Sequence, residues 1–257
     1  MEGLRELIIN RDYRRVDHLT PLHGVWLFIG WGLLYVFLSL FLGPMLSEKL
    51  AEGNIGIQIV AIQLPLFVFC TLFIIGVRMR FADLKLRPLR PVEWAAAVIM
   101  AVAALVGAVV VLIPVIVSQM LLSPELFTQS LEEAKVFQEA IIPGSGVELA
   151  FYLVLLAVIP AVVEELFFRG LIMDAFMRFG PFWAIVISSV AFGVSHQMPL
   201  RIPSLTLVGF FLAAFKYRTG KLTASIIMHI VYNSVLITIA YLFKGAIESN
   251  MLSFIRI

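Results

Sequence analysis

Apolar residues in this chain fall in long unbroken runs, not at the period of about 3.6 or 2 residues that marks a soluble amphipathic helix or a half-buried strand. Five runs, Leu22 to Gly43, Ile55 to Gly76, Trp94 to Met120, Ala150 to about Met173 and Leu222 to Phe243, approach or exceed the roughly 20 residues that cross about 30 Å of hydrocarbon. Two shorter runs, Phe182 to Val194 and Ser204 to Phe215, flank the polar turn S-H-Q-M-P-L-R-I-P, which therefore falls at membrane depth. Non-helical backbone at that depth has to be buried in protein or line a wet cavity. The pattern predicts an all-α fold: a polytopic transmembrane bundle of about seven helices (six to eight), forming a single integral membrane domain over 1–257. Ser123 to Ile142, with Glu125, Glu132, Glu133, Lys135 and Glu139, is too charged to span and is expected to be an amphipathic surface helix.

Composition agrees. The chain is 61% hydrophobic and 14% charged, with a mean hydropathy of +1.01, values outside the soluble range. About twenty largely polar residues, Met1 to Thr20, precede the first run, so that run reads as a retained span, not a cleaved signal. The formal charge of +2 is too small to suggest a nucleic-acid partner. The single cysteine, Cys70, has no intrachain partner and lies in an apolar run, where it packs as a small hydrophobe.

The distribution of Lys and Arg sets an expected orientation. The N-terminal tail holds Arg5, Arg11, Arg14 and Arg15; the second connection Arg78, Arg80, Lys85, Arg87 and Arg90; and the turn after the sixth run Lys216, Arg218 and Lys221. The alternating connections hold only Lys49, Lys135 and Arg201. Tail 1–20 is therefore expected in the cytoplasm, with the chain in a bacterial or archaeal cell membrane.

Few ionisable residues fall within the runs: Glu164, Glu165, Arg169, His196 and His229, with Asp174 near an end. A charge at mid-bilayer costs about 2.5 to 3.5 kcal/mol on insertion scales, so such groups need partners, a cavity or a task. Glu165 and Arg169 stand at i and i+4 with the acid first, the favourable order for a helix-face ion pair. Glu164 is about 100° around the helix and faces another neighbour. Pro160 removes a hydrogen bond one turn earlier, freeing a carbonyl for polar company. If the chain folds back at Gly180-Pro181 and at Thr219-Gly220, then Glu164, His196, His229 and Asn233 share one depth. Glu with two His makes an open zinc site; Glu with His also makes a base pair for activating water, with Asn and the second His as donors to an oxyanion. H-E-x-x-H and G-x-S-x-G are absent, as is any Asp pair within a span, which disfavours the usual zinc-protease, serine and aspartyl arrangements.

E-E-L-F-F-R-G at Glu164 to Gly170, F-G-V-S-H at Phe192 to His196 and H-I-V-Y-N at His229 to Asn233 resemble the E-E-x-x-x-R-G, F-x-x-x-H and H-x-x-x-N motifs of the CPBP intramembrane proteases. This family, also called Abi, includes the eukaryotic CAAX prenyl endopeptidase. The resemblance covers Ala150 to about Leu242, the implied catalytic core (150–242). It implies Glu164 as catalytic acid/base, His196 as its partner in activating water, and His229 and Asn233 as binders of a metal or an oxyanion. Glu165, Arg169 and Phe192 are implied as structural support. The implied cofactor is either a divalent metal such as zinc, held by Glu164, His196 and His229, or none. The implied partners are the lipid bilayer and a membrane-associated protein or peptide substrate. Two other readings stay open from the residues: a catalytically silent scaffold or immunity protein of the same fold, and an ion- or proton-coupled transporter.

Overall fold

The computed structural model describes residues 19–51, 55–125 and 142–244, together with 16, 127, 128 and 130. Most of the expected cytoplasmic tail and of the expected surface helix at 123–142 lies outside the described residues. Among the described residues seven helices form the bundle: α1 (Pro21–Ala51), α2 (Ile55–Gly76), α3 (Pro91–Leu122), α4 (Gly146–Phe179), α5 (Pro181–Ser195), α6 (Ile202–Thr219) and α7 (Leu222–Leu242). Six are long and apolar enough to cross a membrane, α6 counted with the 3₁₀ turn Pro199–Arg201 before it, and α5 is the short one. At about 1.5 Å per residue its 15 residues cover about 22 Å. α5 is short, as the run Phe182 to Val194 implies, whereas the run Ser204 to Phe215, expected to be short as well, lies in a helix extended at both ends to Pro199–Thr219 and long enough to cross, so that part of the polar turn belongs to it.

Boundaries follow local chemistry. Ser145 caps α4 by accepting from the Glu148 amide at 3.2 Å, while Glu148 accepts from the Gly144 amide at 2.7 Å, so the G-S-G stretch is a helix start. Gly180 (φ 91°) and Gly220 (φ 67°) make the tight reversals into α5 and α7, where a left-handed backbone favours glycine. The long α4 is not uniformly α-helical. Leu153–Val158 and Leu166–Met173 are π-helical, on either side of the α-helical Ile159–Glu165 that carries Pro160.

Large apolar side chains such as Leu33, Leu40, Ile99 and Leu121 point outward, as expected of a chain whose solvent is lipid, and small residues pack inside. Ala97, Ala101, Ala104 and Ala108 form a buried stripe on α3. Gly193 on α5 meets α6 at close range, since a Cβ there would stand 2.9 Å from the Ile202 carbonyl oxygen and 3.0 Å from the Thr206 amide nitrogen. Cys70 is buried and free, as its sequence setting suggests.

Polar contacts gather at one end of the bundle. Asp174 accepts from Lys216 at 2.7 Å and from Lys85 at 3.2 Å. Lys221 reaches Glu93 at 2.5 Å and the Pro88 carbonyl at 3.0 Å, and Arg178 donates to the Leu19 carbonyl at 3.2 Å. The start of α1, the second connection and the α6–α7 turn thus share one face, as the alternation of basic connections requires. Lys216 differs from the surface charge that its place in the turn suggests: it is fully buried against Asp174 and also donates to the Arg169 carbonyl.

Because the atoms facing Gly193 include backbone, a methyl group there forces α5 and α6 apart. Gly193→Ala should lower stability by about 1–3 kcal/mol, read as a lower unfolding midpoint in detergent, and an unchanged midpoint would contradict the close crossing.

Candidate active site

Glu165 and Arg169 meet as their spacing predicts. Arg169 Nη1 donates to Glu165 Oε1 at 2.7 Å, and both side chains are fully buried. Arg169 Nη2 donates to the Gly209 carbonyl on α6 at 2.9 Å, an approach that glycine permits, since a Cβ there would lie 3.1 Å from the Ser189 backbone and 3.3 Å from Arg169 itself. The guanidinium also stands 4.5 Å from the centre of the Phe192 ring, within cation–π range.

Phe192 links the motifs. Its ring is edge-on to His196 at 4.7 Å and to His229 at 5.7 Å, and packs against Phe168 at 5.3 Å. The first residue of the F-x-x-x-H motif therefore fixes both histidines relative to the α4 ion pair.

Hydrogen bonds define the imidazoles further. His196 Nδ1 is 2.7 Å from the Phe192 carbonyl, a group that only accepts, so Nδ1 carries the proton and Nε2 is the other face of the ring. His229 Nδ1 is 3.0 Å from Glu165 Oε1, and a carboxylate paired with Arg169 likewise only accepts. In the neutral form each ring then presents an Nε2 lone pair, suited to receiving a proton or to ligating, and in the doubly protonated form an Nε2–H donor. The angular argument from helical spacing left Glu165 to Arg169 alone; the structure adds His229 to that carboxylate.

Glu164 is half-buried. Gln63 Nε2 on α2 donates to its Oε1 at 3.1 Å. Among the described residues no direct hydrogen bond joins Glu164 to His196. Asn233 Nδ2 donates at 3.4 Å to the Leu156 carbonyl, four residues before Pro160, which has no N–H to offer it. The carbonyl freed by Pro160 is thus met by the asparagine of the third motif. His196 and Asn233 are half-buried and His229 is buried.

Of the four residues singled out for chemistry, Glu164 lies on α4 and the other three are tied to that helix by separate contacts, those of His196 running through Phe192. Gln63 was not anticipated. Its signal was one of two amides, with Gln58, inside an apolar run, legible only as a generic helix fastener. No group of three His, Cys, Asp or Glu side chains among the described residues is placed to hold a metal ion. Glu164, His196 and His229 therefore do not form a three-ligand set here, and no step below passes through a metal.

Residues 146–235, which hold all three motifs, match the family model described as type II CAAX prenyl endopeptidase Rce1-like. No match is found among curated proteins or among solved structures. The segment that holds the three motifs around one helix inside an apolar bundle is thus similar to the Rce1-like type II CAAX prenyl endopeptidases, a protease family.

Proposed function

We propose that the protein is an intramembrane endopeptidase that cleaves a peptide bond in a membrane-associated or lipid-linked protein or peptide, with water activated by Glu164 and His196. The observation that carries this reading is the division of labour between adjacent glutamates. Glu165 is fully buried and neutralised by Arg169, whereas Glu164 is half-buried and bonded to a neutral amide. Such a carboxylate keeps its capacity to accept a proton.

In this mechanism Glu164 takes one proton from a water molecule while the water oxygen bonds to the carbonyl carbon of the scissile peptide. The carbonyl π pair moves onto oxygen. The Nε2 lone pair of His196 accepts a hydrogen bond from the same water and orients it. Asn233, one of whose N–H groups is engaged by Leu156, has the second to direct at the oxyanion. His229, aligned by Glu165, donates to the oxyanion through Nε2 when its ring is doubly protonated. The oxyanion then re-forms the carbonyl, the C–N bond breaks, and Glu164 returns its proton to the leaving amine.

Substrate class follows from the surroundings. A wholly apolar groove of about 360 Å³ lies between α1 and α5, lined by Val25, Phe28, Ile29, Val186, Val190 and Val194 among others. Its last residue on α5 is two positions before His196. A hydrocarbon chain attached to a peptide fits that lining and would bring the peptide to the site. The family's namesake substrate, a prenylated CAAX tail, is the first peptide to offer.

Glu164→Gln should reduce kcat by about 10² to 10⁴-fold at normal yield and unfolding midpoint, measured on purified protein in lipid–detergent micelles. Glu165→Ala, by contrast, leaves a buried guanidinium without its carboxylate and should cost about 3–5 kcal/mol, seen as little folded protein. Wild-type turnover by Glu164→Gln would defeat the proposed role of Glu164.

Because the three candidate ligands do not converge as a metal set, exhaustive dialysis against a chelator should leave cleavage unchanged. Activity that disappears and returns with added zinc would replace the water-activating step with a metal-assisted one.

A further inference from the structure

Gln63 lies on α2, outside the segment that matches the family, and is 7% exposed. While its Nε2 donates to Glu164 Oε1 at 3.1 Å, its own Oε1 is buried with no hydrogen-bond partner among the described residues. A buried acceptor left unpaired opposes folding. In an apolar span, packing alone would be served better by Leu or Met at this position.

A carboxylate accepts on both oxygens, and its angle about the last side-chain bond is broad unless something fixes it. The amide of Gln63 occupies Oε1 and so fixes that angle, leaving Oε2 for the proton-transfer partner. On the reading that Glu164 is the general base, we infer that Gln63 is a positioning residue for the reaction: its amide sets the Glu164 carboxylate toward the water. The catalytic arrangement then draws on four helices, α2, α4, α5 and α7, and includes a residue that none of the three motifs contains.

The inference separates function from stability, because the two respond in opposite senses. Gln63→Leu removes the donor and also the unpaired carbonyl. It should lower kcat on a prenylated CAAX peptide by about 10- to 100-fold, the penalty of a misplaced reacting group, with KM within about twofold and an unfolding midpoint equal to or above that of the wild type. Gln63→Glu keeps the size and an oxygen but, when ionised, offers no donor, and should lose at least as much. Wild-type kcat in both variants, or a loss that tracks the folded fraction, would overturn the inference.

Glu164→Gln belongs in the same series. If that variant turns over normally, the general-base reading itself fails; if it is inactive while both Gln63 variants match the wild type, only the positioning role fails. A readout without substrate accompanies it: the Glu164 carboxyl band, isolated by infrared subtraction of Glu164→Gln from the wild type, should shift in Gln63→Leu, and a stationary band would refute the contact.

Discussion

A guanidinium and a carboxylate with no access to solvent, Arg169 and Glu165, form the interaction on which the rest of this structure depends. Two charges in hydrocarbon persist only when each is paired and further hydrogen-bonded, and the surrounding elements meet most of those demands, leaving Glu165 Oε2 and Arg169 Nε without a partner among the described residues. The Gly209 carbonyl on α6 takes the second guanidinium nitrogen, the Phe192 face on α5 covers the cation, and His229 on α7 bonds to the carboxylate. Satisfying one pair thus gathers three helices around α4. The buried pair of the first motif thus organises the surroundings of Glu164 electrostatically.

A second buried cluster holds the opposite end of the same helix segment. Asp174 lies between Lys85 and Lys216, and Lys216 also bonds to the carbonyl of Arg169. The π-helical stretch Leu166–Met173 is therefore anchored at its start by the Glu165–Arg169 pair and just past its end by Asp174. Wide-turn helix geometry has weaker internal hydrogen bonding than the α form and often marks functional positions. Here ion pairs at both ends hold it in place.

The sequence revealed most of the architecture, because span length and apolarity are demanded by the bilayer and read without reference to anything else. α2 spans the residues of its apolar run, and the short α5 followed from a run too short to cross, whereas the length of α6 did not, because it takes in Pro199–Arg201 and the charged end Lys216–Thr219 beyond its apolar run. The Glu165–Arg169 pair was legible because i,i+4 spacing is local. The partner of His229 was not, because whether it meets Glu164 or Glu165 depends on how α7 is rotated against α4, a property of packing across 64 residues of sequence. π-helical segments on both sides of Ile159–Glu165 also shift the angular phase that a uniform helix would give. Lys216 looked like a turn charge because its partner, Asp174, is 42 residues away. Gln63 was hidden for a similar reason: nothing in the run distinguishes it from Gln58, and its meaning appears only beside Glu164.

The shortness of α5 has a consequence for the membrane itself. A helix of 15 residues falls about 8 Å short of a bilayer core about 30 Å thick, and it ends in a turn containing His196, Gln197 and the exposed Arg201. Bilayers adapt to a helix that stops early by thinning beside it, which brings headgroups and water nearer its end. Hydrolysis inside a membrane is limited first by the supply of its second reactant. A side chain in the turn behind so short a helix, such as His196, meets headgroups and water sooner than one at the same level on the spanning helices.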